Sequence, residues 1–123
     1  MNFEFKANPV TNNQEATFTA KLVSDAPKNL LEYTNGKGDK KKYGLVSIEF
    51  EDAEGKKVVR SAAIPEANLA HGITKGEEYL SRVTIVGNQA FLSMSHLQGA
   101  ARATAEDFGF VGVNAQQSVL ATA

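Results

Sequence analysis

Lys37, Lys40, Lys41 and Lys42 place four ammonium groups within six residues, diluted only by the carboxylate of Asp39. Tyr33 and Tyr43 flank this run, and Gly36 and Gly38 loosen its backbone. A single-stranded nucleic acid asks for cations that displace its counterions and for flat apolar faces on which its bases stack. This segment supplies both. A lysine-rich loop also serves solubility alone, and residue types by themselves leave the two readings open.

The remaining reactive side chains are sparse. His71 and His96 fall in different expected elements, with no carboxylate pattern beside either, and read as a polar helix histidine and a strand-end histidine. Glu49, Glu51, Asp52 and Glu54 cluster, but without the glycine and spacing of a calcium loop, and read as a solvated hairpin tip. The absence of cysteine excludes disulfides and thiolate zinc sites. No Walker-type glycine loop, Gly-x-Ser-x-Gly or His-Glu-x-x-His is present. The expectation is a non-enzyme, with no cofactor and no metal.

Positioning the lysines requires a scaffold, and the dominant period in the chain is two. Ala16, Phe18, Ala20 and Leu22 alternate with Glu15, Thr17, Thr19 and Lys21, the pattern of a half-buried strand, until Asp25-Ala26-Pro27 breaks it. Residues Asn35 to Lys42 read as an exposed loop. From Tyr43 the alternation resumes through Val46, Ile48 and Phe50. It turns at Glu51 to Gly55 and returns over Lys56 to Ile64 as a hairpin. Pro65 and Gly72 bracket one or two helical turns. Glu77 to Val86, a Gly87-Asn88 turn and Gln89 to Leu97 form a second hairpin. Phe3 and Phe5 suggest an edge strand within Asn2 to Val10. Beyond Gln98 the chain is rich in alanine, glycine and glutamine without a sustained period, with a short helix expected near Ala100 to Glu106.

The length of 123 residues suits one core, and 42% hydrophobic with 22% charged residues is ordinary for a globular domain. A net charge of −1 gives no global attraction to polyanions, so any such binding must come from a local patch. Charges at Glu4 and Lys6 interrupt what would be the apolar part of a signal peptide, and no apolar run approaches the ~18 residues of a membrane span. The expected location is the cytoplasm (the host's, if the chain is phage-encoded), with no membrane partner.

A strand, a long loop, a hairpin, one short helix and a second hairpin is the chain order of the five-stranded OB-fold barrel. In this order, and in the Lys75-Gly76-Glu77-Glu78-Tyr79 turn that opens the fourth strand, Glu15 to Leu97 resembles the OB-fold single-stranded DNA-binding proteins of the compact kind found in phages and mobile elements. The chain differs from bacterial members in having no tryptophan and no acidic, phenylalanine-ended tip. The expected fold is therefore all-β with one short helix: an OB-like barrel over residues 1–97 and an irregular tail over 98–123.

The resemblance implies a protein that coats or protects single-stranded DNA with little sequence preference, with RNA an open alternative. It also implies a homo-oligomer, and a replication or recombination protein as a further partner. If Val46, Ile48, Val83, Ile85, Leu92 and Met94 point inward, alternation turns Tyr43, Arg82 and Phe91 outward. Lys37, Lys40, Lys41, Lys42, Arg60 and Arg82 would then meet phosphates, and Tyr33, Tyr43 and Phe91 would stack on bases, although Phe91 suits a core equally well. The alternative function is a structural or adaptor barrel that docks a protein partner through tail residues Phe108 and Phe110.

Overall fold

The computed structural model describes residues 3–9, 12–34, 38–98 and 105–108. It is all-β apart from two four-residue helices. The elements are β1 (Lys6–Ala7), β2 (Gln14–Leu22), β3 (Leu31–Thr34), β4 (Lys40–Glu51), β5 (Lys57–Pro65), α1 (Glu66–Leu69), β6 (Glu78–Val86), β7 (Gln89–Met94) and α2 (Ala105–Phe108).

All seven strands belong to one sheet in the order β1-β2-β6-β7-β5-β4-β3, and an additional β2–β4 pairing joins five of them into a ring. Neighbours around the ring are antiparallel except β5 and β7, which run parallel where Ala63 meets Ser93. The five ring strands β2, β4, β5, β6 and β7 are those expected from the alternation.

Alternation decides the inside of the ring. Ala16, Phe18, Ala20 and Leu22 of β2 are buried with Val46 and Ile48 of β4, Ala62 and Ile64 of β5, Tyr79 and Val83 of β6 and Met94 of β7. Small and large residues alternate along β2, which a tightly curved sheet needs if facing side chains are to share a narrow interior. Two of the buried serines are satisfied locally: Ser81 Oγ, inside the ring, donates to the Tyr79 carbonyl at 3.3 Å, and Ser95 Oγ, just past β7, accepts from the Leu97 N–H at 3.1 Å.

The connections follow from their residues. Gly87 sits at φ 61° in the two-residue turn between Val86 and Gln89, the left-handed first position of a type II′ hairpin. Asp52 Oδ1 accepts the N–H groups of Glu54 and Lys56 at 2.9 and 3.0 Å, closing the β4–β5 turn. Pro65, extended at ψ 146°, starts α1, whose Leu69 packs on the core with the following Ile73. The Thr74 N–H then donates to Tyr79 Oη at 2.7 Å and fixes the way into β6.

Three sequence expectations need correction. The stretch before the lysines contains a strand, β3, whose four residues are too few to show a period. Residues 40–42 are strand rather than loop, because they pair with β3 through Lys40–Thr34, Lys41–Tyr33 and Lys42–Glu32. The N-terminal strand shrinks to Lys6–Ala7, and Phe3 becomes a plug packed against the core, its ring edge-on to Phe18 at 5.3 Å and to Phe50 at 6.4 Å. The tail helix is found at Ala105–Phe108, overlapping the end of the expected 100–106 segment, of which residues 100–104 lie outside the described residues.

Gly44 faces the loop that leaves β2. A Cβ there would lie 2.3 Å from Pro27 Cγ and 3.0 Å from Pro27 Cβ, and a pyrrolidine ring cannot swing aside. Gly44→Ala is expected to destabilise the fold by about 1–3 kcal/mol, the usual cost of overpacking a closed contact. Urea unfolding measures this, and Pro27→Ala in the same background should recover part of the loss.

Candidate nucleic-acid interface

The lysines occupy a ribbon that leaves the ring. β5 pairs with β4 only as far as Tyr43–Pro65, so Lys40, Lys41 and Lys42 are paired with β3 alone. All three are exposed. Successive side chains of a strand alternate, so Lys41 shares a face with Tyr33 and Tyr43, while Lys40 and Lys42 occupy the other. Lys37 lies outside the described residues.

Behind the ribbon, the outer face of the ring carries the other aromatic candidates. Tyr33, Tyr43, Ala63 and Phe91 form a second buried cluster with Val86 packed against it, and the two tyrosine rings meet nearly edge-on at 5.6 Å. Alternation does turn Tyr43 and Phe91 away from the ring interior, yet all three aromatics are buried, so their faces are not open for stacking. Sequence alternation reports which side of a sheet a residue takes. It does not report whether a second layer lies over that side, and here one does.

Arg82 shows the second layer most clearly. It projects from the outer face of β6, is only 4% exposed, and lies 3.8 Å from Glu15 Oε1 through Nη1. Its guanidinium carbon sits 4.4 Å from the centroid of the Phe108 ring in α2. Asn8 Nδ2 braces the same carboxylate at 3.2 and 3.3 Å. Burial lowers the Arg82 pKa from its usual value and the Glu15 charge opposes that shift. With Glu15 beside it the guanidinium remains a cation at neutral pH. A phosphate-contacting role expected for Arg82 is therefore not open in this arrangement: its charge is matched from within.

α2 is held from a second side, where buried Asn68 of α1 donates its side-chain amide to the Asp107 carbonyl. Phe108, expected as a partner-docking residue, is buried against the body of the protein. Phe110 lies outside the described residues.

Arg60 departs from expectation in another way. It pairs with Ile48 and so takes the face of Ala62 and Ile64, opposite the outer cluster, but near the hairpin end it is exposed and its Nη1 donates to the Val59 carbonyl at 2.9 Å. Of the expected contacts, the structure thus assembles Lys40, Lys41 and Lys42 on one exposed ribbon, buries Tyr33, Tyr43, Arg82 and Phe91 beside it, and leaves Arg60 apart.

No protein-family model matches this chain, and neither a curated protein nor a solved structure matches it.

One juxtaposition has no sequence signal. His71, just after α1, and His96, just after β7, stack face to face with centroids 3.9 Å apart and planes 9° apart. Parallel rings direct their in-plane lone pairs side by side rather than at a common point, which does not suit a shared metal. Among the described residues, no group of three or more His, Cys, Asp or Glu side chains could hold a metal ion. No helix there is long and apolar enough to cross a membrane.

Two measurements test the covered face. Burial raises the pKa of Tyr33 and Tyr43 above 10.0, so the stability they contribute is complete below that pH and is lost as pH rises through their folded-state values. Spectrophotometric titration should show two phenols ionising late, each abolished by its own Tyr→Phe substitution. Phe108→Ala should cost about 3 kcal/mol in urea unfolding, and Phe108→Leu about 1 kcal/mol, since leucine keeps apolar cover and loses only the ring–cation contact.

Proposed function

We propose that the protein binds single-stranded nucleic acid, DNA in the first place, on an OB-like barrel, gripping the phosphate backbone with the cationic ribbon formed by β3 and the start of β4. The observation that carries this reading is the exposure of Lys40, Lys41 and Lys42 on a two-stranded arm paired beyond the ring, with positive side chains on both of its faces. A flexible polyanion can wrap such an arm, whereas a rigid duplex meets it along one side only. Loss of condensed counterions supplies the affinity, and phosphate contacts bring little sequence preference.

The ring order supports the OB-like reading. Starting at β2, the circuit runs β2-β4-β5-β7-β6 and back, with the single parallel pair at β5–β7 and α1 between the third and fourth ring strands. In an OB barrel the second and third strands and the loop between the first two face the ligand. Here those positions belong to β4, β5 and the connection containing the lysine ribbon. The binding reading differs from its sequence-based form in one respect. Lysines contact the strand first, and stacking on Tyr33, Tyr43 or Phe91 requires displacement of whatever covers them.

The adaptor alternative draws on α2, the one helix described in the tail, whose Phe108 is already seated on Arg82. Deleting residues 98–123 separates the readings: stable, DNA-binding protein that no longer assembles would assign the tail to protein contacts.

Fluorescence anisotropy with labelled oligo-dT at two salt concentrations, with duplex as competitor, is the direct test. Binding should weaken steeply with salt and resist duplex. Replacing Lys40, Lys41 and Lys42 with alanine should flatten the log–log salt slope by about 2, near 0.7 per lysine on a single strand. Binding indifferent to salt, or an unchanged slope in the triple variant, would sink the proposal.

A further inference from the structure

The outer face of β4 carries, in order, Lys41, Tyr43, Leu45, Ser47 and Glu49. Leu45 is the midpoint of this row. Lys41 lies four residues to one side and Glu49 four residues to the other, each about 13 Å away along the strand. The row is therefore antisymmetric in charge about an apolar centre, the pattern that a two-fold axis through the centre converts into two attractive pairs.

The centre of this row is also where apolar surface remains uncovered. Leu45 is 38% exposed, and Leu31 and Val59, on the flanking strands β3 and β5, are 44% and 50% exposed. Register puts all three on the same face: Leu31 is opposite Tyr43, and Val59 is opposite Glu49. Three of the four large hydrophobics most exposed among the described residues thus share one strip. Among the described residues neither Lys41 nor Glu49 forms an ion pair, Lys21 opposite Glu49 on β2 included.

We propose that two copies of this chain associate face to face through this strip, about a two-fold axis at Leu45, with Lys41 of each copy against Glu49 of the other. An in-plane axis perpendicular to the strands makes the two β4 strands antiparallel and lays Leu45 on its own counterpart. Lys41 then falls over Glu49 in both halves, the reciprocity of an isologous interface. Sheets packed face to face lie about 10 Å apart, a gap that lysine and glutamate side chains bridge from opposite walls. A glutamate at one end of the strip disfavours a phosphate backbone there and favours a partner carrying a cation at the same spacing, which this chain itself supplies. Lys40 and Lys42 take the other face of the ribbon and stay free for phosphate, so the two proposals share Lys41 alone, and Glu49→Lys and Leu45→Glu test association without touching the lysines.

The test is sedimentation velocity of the full chain without nucleic acid, across a wide concentration range and at low salt. Wild type should show a monomer–dimer equilibrium. Lys41→Glu and Glu49→Lys should each weaken it at least about tenfold, because each sets like charges across both pairs. Mixing the two single variants should restore a heterodimer, and the double reversal K41E/E49K should restore a homodimer, since in both cases every crossed pair is again opposite in sign. Leu45→Glu should abolish association while circular dichroism stays native, the position being already solvent-exposed. A chain that stays monomeric throughout, or a dimer indifferent to these reversals, would overturn the proposal. So would Glu49→Lys acting only to tighten oligo-dT binding, which would mark the strip as a nucleic-acid track.

Discussion

Closure of the ring at β2 is the constraint on which the other features depend. β2 pairs with β6 from Gln14 to Lys21, but with β4 only at Lys21 and Leu22. Elsewhere that seam lacks a continuous hydrogen-bonded ladder. An aromatic group seals it: Phe18 and Phe50 meet at 4.9 Å, and Phe3 packs edge-on against both. Edge-to-face rings suit the task, since they fill a wedge-shaped gap while keeping quadrupoles favourably aligned. With the seam closed this way, β4 is committed to the ring over its later residues only. Its first three residues are left to pair with β3, and that is how the lysines come to stand on an arm.

Outside the ring the protein builds a thin second layer, and the layer is unusual in containing a buried cation. Placing a guanidinium under apolar cover is costly unless its charge is matched and its donors are used. Glu15 at 3.8 Å matches the charge, Asn8 orients Glu15 and the Phe108 ring covers the guanidinium carbon, while the buried Nε of Arg82 has no hydrogen-bond partner among the described residues. β2, β6 and α2 are thereby tied to one another through a single side chain. Asn68 adds a link from α1 to the same four-residue helix. The tail segment at 105–108 is in this sense part of the body's packing.

Much of the ring was legible because half-buried strands announce themselves by period. The Ala16–Leu22 alternation, the β4–β5 hairpin and the Gly87-Asn88 hairpin each put their apolar residues on the interior side. What escaped did so for physical reasons. β3 has four residues, too few for a period to differ from chance. Phe3 acts through its ring rather than through strand pairing. The stacked His71 and His96 are twenty-five positions apart, and only the folding of α1 against the end of β7 brings them together. The face of Arg60 was not legible because the adjacent Val58 and Val59 fall on opposite faces and leave the register at the hairpin end unmarked. The candidate site was read in part: the exposed lysines could be seen in composition, but the burial of Tyr33, Tyr43, Arg82 and Phe91 could not, since it depends on the second layer.

The ring order also governs how this chain emerges from the ribosome. β2 ends at Leu22, yet β6, its principal partner, begins only at Glu78. Throughout that interval most of β2 exists as an apolar–polar ribbon without its long ladder, flanked only by the two-residue β1 and the short β4 contact, while β4 and β5 can already zip together locally. A strand in that condition is a template for pairing with another nascent chain. The residues that follow β2 read differently in this light. Asp25, Pro27 and Lys28, and later the lysine run, interrupt the β-forming sequence with charge and with a residue that lacks an amide proton, as gatekeepers do beside unavoidable hydrophobic strands. The ribbon's charge and position oppose strand pairing between unfinished chains whatever the finished protein binds.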